Sequence, residues 1–213
     1  MLSPDTNDQF GAKVGRTSRQ KPPSPPSIPN LDDQTYVDLQ LDWSFKKILS
    51  DSKVLVDFLN TFLPPDRKVV SATLSDKEIS GDSPKERVAL FDVLAKGEDG
   101  SSYIVEVQRC DQLHFTERTQ FYVARGIDNQ AKRGDWDFGI TPVNLIAVLN
   151  FAPRVNWLDE RYHYSFEMLE LKNHIPLDKS ISLSYVVFPK FHSEDKDCTE
   201  RKDIWCHFVT PSK

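Results

Sequence analysis

Residues 143–151, VNLIAVLNF, constrain the fold most, because both faces of an extended strand here would carry apolar side chains. Such a strand has to be covered on both sides, as in the middle of a sheet packed between helices. Further strands are predicted at 69–74, 88–96, 103–109, 162–171 and 181–188. Together these segments predict an α/β fold in which a central mixed β-sheet is flanked by helices.

The helices are predicted from the spacing of their apolar residues. Structure begins near Asp42, where LDWSFKKILS has a helical pattern. A second helix starts at the capping cluster Ser50-Asp51-Ser52 and stops before Pro64-Pro65. The segment 112–133 reads as a long helix that ends in KRG at Gly134, and a last helix begins near 195.

Composition divides the chain into two parts. Residues 1–34 are rich in Pro, Ser and charge and poor in large apolar side chains, which predicts a disordered leader. Residues 35–213 then form one domain. The formal net charge of −5 argues against a generally basic coat for nucleic acid, although a local basic groove remains compatible with it.

The sequence also limits where the protein works. Three cysteines without a CxxC pair, no secretory signal and no long apolar stretch predict a reduced, cytoplasmic protein without membrane contact. No Gly-rich phosphate loop is present, which argues against nucleotide hydrolysis.

Two carboxylates mark the hairpin FDVLAKGEDGSSYIVEVQ at 91–108. A turn centred on Asp99 places Asp92 directly opposite Glu106, with Cβ atoms about 5 Å apart. Two carboxylates at that distance repel each other unless a proton or a cation lies between them. A hard cation such as Mg²⁺ or Mn²⁺ suits oxygen ligands, and Gln108 follows on the face of Glu106.

A surface arrangement is the simpler alternative. Asp92 would then lie in water at a strand end, and Glu106 would pair with Lys96 or Arg109. Against it, Asp92 is predicted to lie inside an apolar strand.

The predicted helix after the hairpin carries a polar stripe. Arg118, Tyr122, Arg125 and Asn129 fall on one helical face. Beside the carboxylates this face would meet phosphate oxygens, whereas a solvated charged face is the alternative.

These segments resemble the PD-(D/E)XK nuclease family of transposases, also called recombination-promoting nucleases. The resemblance covers about 42–210 and rests on DxxFKxxL at 42–49, FLN at 58–60, KEISGD, FDVLAK, VEVQ, FTERTQFYVAR, QAKRGDWDF, FPKF and a terminal Trp-x-x-Phe. It implies a restriction-endonuclease-like core and Mg²⁺-dependent hydrolysis of DNA phosphodiester bonds in recombination or transposition.

The resemblance also assigns site residues. It implies catalytic roles for Asp92, Glu106 and Gln108, the last where many relatives have Lys. Asp92 and Glu106, with Glu78 from the preceding segment, are the implied metal ligands. Lys46, Arg118, Tyr122 and Arg125 are the implied DNA contacts, and Lys46 or Arg118 would supply the positive charge that Gln108 lacks.

Two alternatives stay open at this point. The chain stops just inside the helix where relatives usually continue, so it is expected to be a copy truncated at its C terminus. It would then be a catalytically inactive remnant that only binds nucleic acid or self-associates, and a homodimer is compatible with either function. A zinc cluster of His192, Cys198, Cys206 and His207 is a separate alternative, although its spacing matches no common zinc finger.

Overall fold

The computed structural model describes residues 42–75, 78–79, 89–131, 137–192 and 199–209, without the side chains of 42, 43, 78, 79, 89 and 90. Its helices are α1 (Asp42–Ile48), α2 (Ser52–Phe62), α3 (Phe115–Asp128) and α4 (Arg201–Val209), with a 3-10 turn at Phe188–Lys190. Its strands are β1 (Ala72–Leu74), β2 (Glu78–Ile79), β3 (Ala89–Leu90), β4 (Val93–Gly97), β5 (Ser102–Gln108), β6 (Val143–Leu149), β7 (His163–Phe166) and β8 (Ile181–Val187). The predicted leader lies outside the described residues.

Six strands form one mixed sheet in the order β1-β4-β5-β6-β8-β7. The pairs β1–β4, β4–β5 and β7–β8 are antiparallel, and β5, β6 and β8 run parallel. Strands β2 and β3 form a separate antiparallel pair. The sheet with its flanking helices confirms the predicted α/β fold with a restriction-endonuclease-like core.

Strand β6 lies at the centre of the sheet, and all seven of its residues are buried. On one face, Leu145 and Ala147 pack in the cluster that contains α3 residues such as Val123. On the other face, Ile146 and Val148 belong to the cluster formed with α1, α2 and α4. The two-sided burial predicted for 143–151 is therefore confirmed over Val143–Leu149, and residues 150 and 151 beyond the strand are half-buried.

Helix α2 follows its sequence signals closely. Asp51 caps its first turn, because the carboxylate accepts hydrogen bonds from the amides of Lys53 (2.8 Å) and Val54 (3.2 Å). The helix ends at Phe62, two residues before Pro64. Both predicted ends are confirmed.

Helix α3 is shorter than predicted, because it ends at Asp128 rather than near Gly134. The Gln130 side chain joins the end of the helix to the segment that leads into β6. Its amide donates to the carbonyls of Gly126 (3.3 Å) and Thr141 (3.0 Å), and its oxygen accepts from the Thr141 amide (2.9 Å). Gly134 lies outside the described residues.

The predicted strand 88–96 is interrupted. β3 ends at Leu90, β4 begins at Val93, and Asp92 lies in the bend between them. The predictions of β1 and β7 were also too long, since β1 covers only Ala72–Leu74 and β7 only His163–Phe166. None of the described helices is both long and apolar enough to cross a membrane.

Candidate functional site

The β4–β5 hairpin has the register predicted from the turn at Asp99. Val93 pairs with Val105, and Leu94 pairs with Ile104. One position further along, this register brings Asp92 next to Glu106. The prediction that Asp92 lies inside the strand is wrong, because it lies in the bend just before β4.

Hydrogen bonds donated by backbone amides to the two carboxylates explain the bend. The Asp92 carboxylate accepts a hydrogen bond from the Val107 amide at 2.7 Å, and the Asp92 amide donates to Glu106 Oε1 at 3.2 Å. Because a side chain takes the Val107 amide, the backbone ladder stops at Val93. Each acid is thus fixed by the backbone of the opposite segment.

Lys46 of α1 places a positive charge beside Asp92. Its Nζ lies 3.1 Å from Asp92 Oδ1, and the two side chains are 22% and 21% exposed. The Asp92 carboxylate therefore contacts a backbone amide through one oxygen and an ammonium group through the other.

Glu106 is buried, with 3% of its surface exposed. Burial raises the pKa of its carboxyl from the ordinary 4.5 to about 8, and the negative charge of Asp92 adds to the rise. The Asp92 amide and the charges of Arg118 and Lys46 oppose it. The surface alternative for Glu106 is wrong, since the carboxyl is inside and Lys96 donates instead to Ser102 Oγ at 2.6 Å.

Arg118 reaches the acids from α3. Its guanidinium lies 5.1 Å from the Phe115 ring and 5.8 Å from the Tyr122 ring. Nη1 donates to Gln112 Oε1, whereas buried Nε and Nη2 find no acceptor among the described residues. A buried donor without an acceptor is costly, and a phosphate oxygen is a suitable partner for a guanidinium.

Tyr122 lies one helical turn after Arg118, as the polar stripe predicts. Burial raises the pKa of its hydroxyl, and the negative charge of Glu106 raises it further. Its ring also packs against Phe91, with centroids 5.2 Å apart. The stripe therefore brings Arg118 and Tyr122 to the acids rather than only to solvent.

Arg125, further along the same helix, contacts a different partner. Its Nη1 lies 2.6 Å from Asp128 Oδ2 on α3 itself. Its role in DNA binding stays a prediction.

Gln108 and Glu78 are the other predicted site residues. Gln108 is half-buried at the end of β5, and strand alternation places its side chain on the face of Glu106. The backbone of Glu78 pairs with the backbone of Leu90 in the short β2–β3 ladder. Leu90 lies two residues before Asp92 in the chain. The side chain of Glu78 lies outside the described residues, so its role as a ligand stays a prediction.

The two acids bring carboxylate oxygens together, and such oxygens are the ligands that Mg²⁺ prefers. Among the described side chains, no group of three or more His, Cys, Asp or Glu residues is arranged to hold one. The pair still fits a divalent cation, since carboxylate oxygens suit Mg²⁺ and the charge of Asp92 already disfavours ionisation of Glu106. A cation between them would relieve this repulsion.

The zinc alternative involves residues near α4. Cys206 is fully buried in the core, and Cys198 lies outside the described residues. This cluster stays an untested prediction.

Sequence reasoning missed the two backbone amides of Asp92 and Val107 and the Gln112 contact to Arg118. No sequence signal marks a backbone amide as a ligand of a particular side chain. Gln112 carries one weak signal, since it lies six residues before Arg118 at the approach to the helix.

Comparison with known proteins gives one match. Residues 39–213 match the family model of the PD-(D/E)XK nuclease family transposase. No curated protein and no solved structure matches the chain.

Proposed function

Because the chain belongs to the PD-(D/E)XK nuclease family of transposases, we propose that it is a Mg²⁺-dependent DNA endonuclease acting in recombination or transposition. The family resemblance drawn from the sequence is confirmed by this match, which indicates a nuclease. The observation that carries the finer proposal is the pairing of Asp92 with buried Glu106, beside an Arg118 guanidinium with two buried donors that find no acceptor in the part of the chain that the structure describes.

Asp92 and Glu106 would hold the metal ion, Mg²⁺ or Mn²⁺, with Glu78 as a further ligand. When bound, such an ion polarises a phosphodiester and acidifies a water molecule. The two acids supply hard oxygen ligands from adjacent chain segments, and their rigid attachment to backbone amides keeps them in place.

Arg118 would bind the phosphate through Nε and Nη2. Stacking on Phe115 and Tyr122 and the bond to Gln112 hold the guanidinium plane, so little freedom is lost when a phosphate oxygen binds. Tyr122 and Gln108 would add hydrogen bonds to the phosphate or to the attacking water. Arg125 and Lys46 would contact the DNA backbone nearby.

A plasmid-nicking assay tests this function. Supercoiled DNA with Mg²⁺ should be nicked by the unaltered protein, and Asp92→Asn and Glu106→Gln should each lower the rate at least about a hundredfold. Glu98→Gln is the matched control, because Glu98 is exposed in the turn of the same hairpin. It should leave the rate unchanged.

Two outcomes contradict the proposal. Equal nicking by all four proteins would indicate a contaminating nuclease. No nicking by the unaltered protein with either Mg²⁺ or Mn²⁺ would favour the inactive remnant that binds nucleic acid or self-associates. Formation of a homodimer stays a prediction.

A further inference from the structure

Both oxygens of the Asp92 carboxylate are already in use. One accepts the Val107 amide at 2.7 Å, and the other pairs with Lys46 Nζ at 3.1 Å. Val107 is held in the sheet by its pairing with Val148 of β6. Only Lys46 can therefore leave without breaking the sheet.

The backbone of Lys46 is fixed, whereas its ammonium group is joined to that backbone through several rotatable bonds. Phe45 and Leu49 of the same segment are buried in the core, with 1% and 0% of their surface exposed. The ammonium group sits at the end of a flexible four-carbon stem and is readily rehydrated. At 22% exposure, it lies at the border between the acids and solvent.

We propose that Lys46 holds the place of the divalent ion beside Asp92, leaves the carboxylate when the ion binds, and then contacts the phosphodiester. This inference rests on the proposed metal-dependent nuclease function and adds a competition within its site. The positive charge is needed because Gln108, at the end of the strand that carries Glu106, is neutral.

Competition has a measurable consequence, since an ammonium paired with a ligand oxygen lowers the affinity of that oxygen for another cation. Lys46→Met keeps the length of the side chain and removes its charge. Metal-stripped protein is titrated with Mg²⁺ by calorimetry, and Lys46→Met should bind Mg²⁺ about five- to tenfold more tightly than the unaltered protein. Its single-turnover cleavage at saturating Mg²⁺ should nevertheless fall at least about tenfold.

Lys47→Met is the matched control, because it removes the same charge from an exposed neighbour on α1. It should leave Mg²⁺ affinity and cleavage within about twofold of the unaltered values. A general effect of net charge would change both variants alike and would overturn the proposal.

A second measurement uses the unaltered sequence and does not depend on a folded variant. In ¹⁵N spectra of the lysine ammonium groups, the Lys46 signal should move to the position of a hydrated lysine on addition of Mg²⁺. A Lys46 signal unchanged at saturating Mg²⁺ would overturn the inference and leave the nuclease function standing. Tighter Mg²⁺ binding by Lys46→Met, together with no DNA cleavage by the unaltered protein, would support the competition between Lys46 and the ion and contradict the nuclease function. If neither protein bound Mg²⁺, both would fail.

Discussion

At the scale of single residues, the buried carboxyl of Glu106 makes the stability of the fold depend on pH. Its carboxyl is 3% exposed, and burial together with the charge of Asp92 raises its pKa to about 8. In the unfolded chain the same group has an ordinary pKa near 4.5. Between these two values the unfolded state binds fewer protons than the folded state, so the stability that Glu106 contributes is complete below pH 4.5 and is lost as pH rises through 8.

Glu106→Gln should therefore stabilise the metal-free protein by an amount that grows with pH. The neutral amide keeps an oxygen for the Asp92 amide and has no charge to bury. We expect the difference in unfolding free energy to increase by roughly 3–5 kcal/mol from pH 5 to pH 8. Urea denaturation of both proteins at several pH values measures it, with Glu98→Gln as the control. A difference that stays constant with pH would show that the carboxyl is already ionised in the folded state.

At the scale of elements, Gly126 sets how closely α3 approaches the sheet. A Cβ atom added there would lie 2.8 Å from Cγ1 of Val143 on β6. Val143 is β-branched and fully buried, so it has little freedom to move aside. The same helix carries Arg118 and Tyr122, so this close approach also brings them to the acids.

Gly126→Ala should destabilise the protein although alanine favours helices. Overpacking costs about 1–3 kcal/mol, which outweighs the gain of up to about 1 kcal/mol in helix propensity. The double variant Gly126→Ala/Val143→Ala should lose at least about 1 kcal/mol less unfolding free energy than the two single variants lose in total. Urea denaturation of the unaltered protein, the two single variants and the double variant measures this difference. Strict additivity would mean that α3 relaxes away from β6 without strain.

At the scale of the whole molecule, α4 closes the core formed by α1, α2 and one face of the sheet. Trp205 packs edge-on against Phe58 of α2, with centroids 5.2 Å apart. Its indole N–H donates to Asp57 at 2.7 Å, and Arg201 pairs with the same carboxylate. The Trp205 side chain therefore joins α2 and α4, which lie near the two ends of the domain in sequence.

Trp205→Ala should lower the unfolding free energy by about 3–5 kcal/mol, because it empties a buried aromatic position. Phe208→Ala is the matched control, since that aromatic ring lies on the same helix and is 56% exposed. Because its ring still lies 6.1 Å from the Trp205 ring, it should lower stability by about 1 kcal/mol at most. Thermal and urea denaturation compare the two, and equal losses would contradict the role of α4 as the closure of the core.

Local patterns determined much of this protein. The two-sided apolar segment at 143–151 predicts a central strand, and helical spacing with the Asp51 cap predicts α2. The turn at Asp99 predicts the register that brings Asp92 to Glu106. These features follow from interactions between residues close in sequence, whose geometry has periods of 2 or 3.6 residues.

Only the tertiary structure decided the rest. The pairing of Lys46 with Asp92 and the burial that raises the pKa of Glu106 each depend on groups from distant segments. The break before β4 and the contacts of Gln130 after α3 arise where a side chain takes a backbone partner. A side chain can compete with the backbone for an amide only when folding brings the two together, and a carboxyl is desolvated only by what packs over it. The sequence therefore specifies which acids meet, and the packed fold specifies their partners and their charge.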